Sequence, residues 1–390
     1  MPRWPDVSCA SLGPSAAMFG LGPVGDPTDR LINGARFRET IALAPAMGRF
    51  FWLGCCLANS GERVDMAVVE TVRGAIDSRD LGFTLMHEHI FVLSPEIQQN
   101  YRTEFGDEDS RIADAVSRLN QLSAAGIDTI VDLTVVGLGR FIPRIQTIAS
   151  QVHLNIIVAT GLYTYNDVPF YFQNRGPKTL IGGEEPLVEM FVRDIEEGIE
   201  GTGVKAGILK CATDSPGVTK GVERVLRAVA VAHRQTGVPI STHSYAFGRT
   251  GMDQLGIFEK EGVDVTRVVI GHCGDTNDVG YLRELADTGC YLGMDRFGFD
   301  LRLPFEERVA TVAKMCELGY SANMVLSQDA SCHNDWLDDA VVASKMPRWD
   351  YFHLSNDVIP ELRRRGVTQG QIDEMTIDNP RKIFEANSRY

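Results

Sequence analysis

From Val68 onward the chain alternates short apolar runs with longer stretches in which apolar residues recur every three to four positions. The apolar runs are 83–89, 129–134, 155–160, 206–212, 239–243, 268–273, 291–295 and 324–329. Runs of this length bounded by turn residues read as buried strands. Between them, 108–126, 186–203, 221–237 and 303–319 have helical spacing and close on glycine, as helix C-termini commonly do. Eight such strands alternating with helices predict a parallel α/β fold of the (β/α)8 TIM-barrel type. A doubly wound open sheet would need a glycine-rich nucleotide turn, and Gly137-Leu-Gly139 lacks the third glycine and the acidic partner. Residues 66–390 are therefore expected to form one barrel domain, without a second domain or a repeat beyond this alternation.

In such a barrel the chemistry gathers where strands end, at the C-terminal face. The first run ends in His87-Glu88-His89, and alternation in a strand puts both imidazoles on one face and Glu88 on the other. His-x-His alone is common by chance. The later runs add Lys210, His243, His272 and Asp329 at equivalent positions, so four of the chain's 8 histidines fall at strand ends. His153, His233, His333 and His353 occupy unremarkable helix, loop or strand-start positions. Four imidazoles, a carboxylate and a lysine are too many ligands for one open catalytic zinc and fit a binuclear metal site instead. Lys210 lies in an apolar run. A buried amine there would be nucleophilic enough to capture carbon dioxide as a carbamate, and the alternative is a lysine reaching to the barrel rim.

The net charge of −14 argues against nucleic acid or an anionic membrane as partner. None of the 8 cysteines forms a C-x-x-C pair, and several fall in apolar strands as small buried hydrophobes. A cytoplasmic location follows. Residues 1–65 are rich in Gly, Pro, Ala and Arg and show no sustained period. Their apolar stretch 50–58 is too short to span a membrane and lies far inside the chain for a signal peptide. They are expected to be a poorly structured N-terminal extension, or residues ahead of an initiator at Met66. Export through them stays open.

Motifs along nearly the whole remaining chain resemble the phosphotriesterase family of the amidohydrolase superfamily. They are Gly82-Phe-Thr-Leu-Met-His-Glu-His89, Gly207-Ile-Leu-Lys210, Thr242-His243, Gly271-His272, Met294-Asp-Arg296-Phe-Gly298 and Ser327-Gln-Asp329. Gly161-Leu-Tyr163-Thr-Tyr165 and Asp335-Trp336 are similar to the lactonase branch, including acyl-homoserine lactonases. The resemblance implies that His87, His89 and Asp329 hold one divalent metal and His243 and His272 the other, with carboxylated Lys210 bridging. Zinc is the expected metal, with cobalt, manganese or iron as alternatives. It implies lactone-ring hydrolysis, as in quorum quenching, by a hydroxide bridging the metals. Asp329, Tyr163 and Arg296 would be the catalytic residues, and Tyr163, Tyr165, Arg296 and Trp336 would line the substrate pocket. The alternatives are phosphotriester hydrolysis at the same site, and a barrel without chemistry used for binding. A small-molecule lactone substrate and a homodimer are expected. Arg296 has a structural alternative, an ion pair with Asp275. The lactonase branch commonly carries His where Gln328 stands, and alternation points Gln328 away from the ligands.

Overall fold

A computed structural model describes residues 67–386 and 388–390. The expected extension at 1–65 lies outside the described residues. The eight expected strands all form: Thr84–Glu88, Thr129–Asp132, Asn155–Gly161, Ile208–Ala212, Ile240–His243, Val268–Ile270, Tyr291–Met294 and Met324–Leu326. They join in sequence order into one eight-stranded sheet, parallel at every pairing. The ends of that sheet meet where the Asp329 N–H donates to the His87 carbonyl (3.0 Å) and the His89 N–H to that of Ala330 (2.9 Å). Glu88 reinforces this seam. Its carboxylate, pushed up to about 8 by burial, accepts from the Gln328 and Ala330 backbone N–H groups and from Ser327 Oγ.

Alternation sorts the strands into two apolar layers. Val131, Ile157, Ile208, Val269 and Val325 fill the barrel interior, while their neighbours Ile130, Ile156, Leu209, Val268 and Leu326 pack outward with the helices. The helices form where the spacing placed them. In Lys220–Thr236, Thr219 caps the first turn and Gly237 closes the last in a left-handed conformation (φ 81°). Within the expected helix 186–203, the regular part is shorter, Pro186–Glu196. Gly198 at φ 116° ends it, and a 3-10 turn at Ile199–Gly201 follows.

Two features lay outside the sequence reading. A hairpin of Val68–Thr71 and Gly74–Asp77 precedes the barrel. A short parallel pairing, Phe91–Val92 with His333–Asn334, ties the loop after the first strand to the loop after the eighth. Among the described residues no helix is long and apolar enough to cross a membrane.

Candidate metal centre and substrate pocket

His87 and His89 reach the barrel interior because the first strand departs from strict alternation. Leu85 pairs with Ile130 but Glu88 with Asp132, so the first strand gains a residue on its partner. Such a bulge re-aims side chains. Met86 packs in the interior layer, and after the bulge the two imidazoles share the space above it while Glu88 turns to the seam. His272 and Asp329 enter by a different route, left-handed backbone at φ 61° and φ 54°. Non-glycine residues hold that conformation only where surrounding structure imposes it, at roughly 1–3 kcal/mol each. Gly161 makes room for Lys210: a Cβ there would come within 1.8 Å of the Lys210 carbonyl oxygen.

Each imidazole is gripped by its outer nitrogen. Asp295 accepts from His87 Nδ1 (2.7 Å) with one oxygen and from His272 Nδ1 (2.9 Å) and the His272 N–H (2.8 Å) with the other. Thr134 Oγ1 donates to Asp132 (2.5 Å) and so accepts from His89 Nδ1 (2.9 Å). Asp214 accepts from His243 Nε2 (2.7 Å). An ionised carboxylate only accepts, so these contacts put the proton on the outer nitrogen and leave the inner one a lone pair.

The inner atoms converge. His243 Nδ1 and His272 Nε2 face each other at 2.9 Å, and His89 Nε2 lies 3.1 Å and His87 Nε2 3.6 Å from Asp329 Oδ1. His87, His272 and Asp329 offer ligand atoms all within 4.8 Å of one another. Lone pairs and a carboxylate crowded this closely repel unless a cation lies among them. The donor set therefore fits divalent metal, and imidazole with carboxylate suits zinc and its neighbours.

Burial sets the electrostatics. It pushes His87 down and His243 down to about 4, so both stay neutral and ligand-competent. It lowers the Lys210 amine to about 8, against the pull of Asp329 and Asp295. Lys210 is 1% exposed, which removes the reading of a rim lysine. Burial raises the Asp329 carboxyl, but the positive surroundings, with the Arg296 guanidinium directly on Oδ2, outweigh it and hold the group well below its ordinary value. Asp214, also raised by burial, is held at about 2 by its bonds from His243 and the Ser215 N–H.

An open cavity of about 210 Å³ stands over these groups. Tyr163, Tyr165, Arg296 and Trp336 all line it, together with Val92, Leu138, Phe299, Leu337 and Trp349. The Tyr163 hydroxyl lies 3.2 Å from His243 Nδ1 and bonds to the Tyr165 hydroxyl. Burial and Tyr165 keep it protonated, raising it well above its ordinary value. Arg296 does two things at once: it borders the cavity, and it pairs with Asp329 (Nε to Oδ2, 2.9 Å) and Asp275 (3.0 Å). Gln328 points outward, away from the ligands. Its amide bonds the Tyr351 carbonyl (2.9 Å) and its oxygen accepts from the Leu354 N–H (2.8 Å), anchoring the long final loop.

Sequence reasoning assigned no role to Asp132, Thr134, Asp214 or Asp295. The signal that singled out the imidazoles and Asp329, a polar residue at the end of an apolar run, was present at Asp132 and Asp295 as well. His333 and His353 stay away from the centre, bonded to Arg111 and Asp357.

Residues 67–384 match the phosphotriesterase family. The chain is 60% identical over 325 residues to a phosphotriesterase homology protein of Mycobacterium tuberculosis, covering 83% of this chain and 100% of that protein. It is 40% identical over 314 residues to an aryldialkylphosphatase of Saccharolobus solfataricus, covering 80% and 98%. The solved structure of the phosphotriesterase from Mycobacterium tuberculosis is similar with a TM-score of 0.82 at 60% identity, over 83% of this chain and 100% of that one. Likeness along the whole barrel, together with the donor set at its mouth, places this chain in the phosphotriesterase family of hydrolases.

Proposed function

We propose that the protein opens lactone rings, N-acyl-homoserine lactones foremost. The observation that carries this reading is a protonated phenol, Tyr163, beside the ligand cluster in a cavity whose outer wall is apolar. His87, His89 and Asp329 would hold one divalent metal and His243 and His272 the second. Lys210 would bridge them once its Nζ lone pair has added to the carbon of carbon dioxide and released a proton, leaving an anionic carbamate. When bound, the metals lower the pKa of a water and polarise the scissile carbonyl.

The chain's own groups do the rest. Tyr163 donates to the carbonyl oxygen as negative charge grows on it, an interaction strongest in the transition state. Asp329 takes the proton of the attacking water and returns it to the leaving alkoxide. Arg296, bonded to Asp329 Oδ2, fixes which way that carboxylate faces. Leu138, Phe299, Trp336 and Trp349 give the acyl chain apolar surface away from water.

A second reading is phosphotriester hydrolysis at the same centre, favoured by the 40% identity to a protein named aryldialkylphosphatase. Parallel rates on acyl-homoserine lactones of varied chain length, simple γ- and δ-lactones and an aryl phosphotriester decide between them. Higher kcat/KM on the phosphotriester would overturn the lactonase reading. The expected homodimer draws support from exposed apolar residues on the loop after the third strand, among them Phe170 (83% exposed) and Leu180 (88%). Light scattering at several concentrations tests it.

A further inference from the structure

The four imidazoles of the cluster are not gripped alike. The carboxylates behind His87, His89 and His272 are Asp132 and Asp295, which close barrel strands and are sealed from water. The partner of His243 is Asp214, on the loop following Ile208–Ala212, with a side chain still 16% exposed. That loop folds around Asp214 itself: its carboxylate accepts from the Ser215 N–H (2.5 Å) and its carbonyl from the Gly217 N–H (2.7 Å). His243 is also the one member of the cluster that turns Nδ1 inward rather than Nε2.

We infer that Asp214 is a positioning residue that governs the His243–His272 metal position separately from the His87–His89–Asp329 position. The inference rests on the two-metal reading proposed above. The physical reason is the tautomer. The Asp214 carboxylate only accepts, so its bond keeps the proton on Nε2 and the lone pair on Nδ1, where a cation meets it. Without that bond the ring is free to turn or to exchange its proton. The Tyr163 hydroxyl, 3.2 Å from Nδ1, then competes for the lone pair. Nothing equivalent happens at the first position, whose imidazoles keep Asp295 and the Thr134–Asp132 pair.

The test is equilibrium dialysis of the full chain against buffered free Zn²⁺, with bound zinc counted by atomic emission, for the parent, Asp214→Ala and Asp214→Asn. The parent should bind two zinc ions. In Asp214→Ala one ion should stay as tight as in the parent and the second weaken by about tenfold or more, the usual effect of removing such a partner. Asp214→Asn, whose amide oxygen accepts the same bond, should fall between. Parent-like binding of both ions in Asp214→Ala, or their loss together, overturns the inference. If the Ala variant does not fold, Asp214→Leu, which fills similar space without an acceptor, decides, and a second ion bound as tightly as in the parent overturns it. A parent that binds fewer than two ions overturns the two-metal reading itself, before any variant is compared.

Discussion

Lys210 Nζ stands 3.1 Å from His87 Nε2 in a position closed to water. An ammonium beside the inward lone pair of a neutral imidazole would satisfy that one contact. It would also put a cation where the surrounding donors are arranged to receive metal. Conversion to a carbamate reverses the sign of the residue, and the depressed amine pKa makes that chemistry accessible. Lys210→Ala should therefore abolish most activity, with partial recovery on adding short carboxylic acids that stand in for the carbamate. Full activity without rescue would remove the carbamate from the mechanism.

The same residue sets a pH dependence. Burial holds its amine at about 8 rather than 10.5. The neutral amine, the form that attacks carbon dioxide, is the minor species below pH 8 and the major one above it. Reconstitution of metal-stripped protein with zinc and bicarbonate should quicken between pH 7 and about 9, then level off. A rate that falls across that interval would contradict this assignment.

Asp295 grips one imidazole from each proposed metal position, His87 and His272. Asp295→Ala should weaken both zinc ions by about 10–100-fold, in contrast to the selective loss expected at Asp214. The metal content of dialysed protein reads this directly.

Tyr163→Phe removes one hydroxyl and should keep fold and metals. Losing a donor in a partly water-excluded site should lower kcat on acyl-homoserine lactones by about tenfold or more. Phosphotriester turnover should fall less, since an aryloxide leaves readily. Equal losses on both substrates point to general positioning, and no loss on lactones would falsify the role given to Tyr163.

Gln328→Ala would strand the buried Leu354 N–H and the Tyr351 carbonyl. At about 1–3 kcal/mol for each of the two unpaired groups, unfolding free energy should drop by about 2–6 kcal/mol. Urea unfolding measures it. Zinc content should not change, because the side chain points away from the ligands.

Removal of residues 1–65 should leave melting temperature and turnover nearly unchanged, since that stretch carries no periodic apolar pattern to pack. A marked fall in melting temperature would show that it supports the barrel.

The barrel, and the six polar side chains that gather at its mouth, were legible in the sequence alone. Apolar runs spaced by amphipathic helices leave few other ways to bury so much surface, and a parallel barrel brings every strand end to one face. His87, His89, Lys210, His243, His272 and Asp329 were legible because each lies within or at the end of an apolar run, where a polar residue has no packing reason to be. What the sequence could not decide depends on partners far along the chain. Alternation alone does not bring Met86 and His87 into the same interior; a bulge against the second strand does that. No local pattern shows that Asp295 will hold an imidazole 208 positions earlier. Nor does one show that Arg296 will divide itself between Asp329 and Asp275, or that Asp214 will fold back onto His243. Propensity and periodicity act over a few residues, whereas tautomers, ion pairs and left-handed backbone at His272 and Asp329 are imposed by contacts that exist only once the barrel has closed.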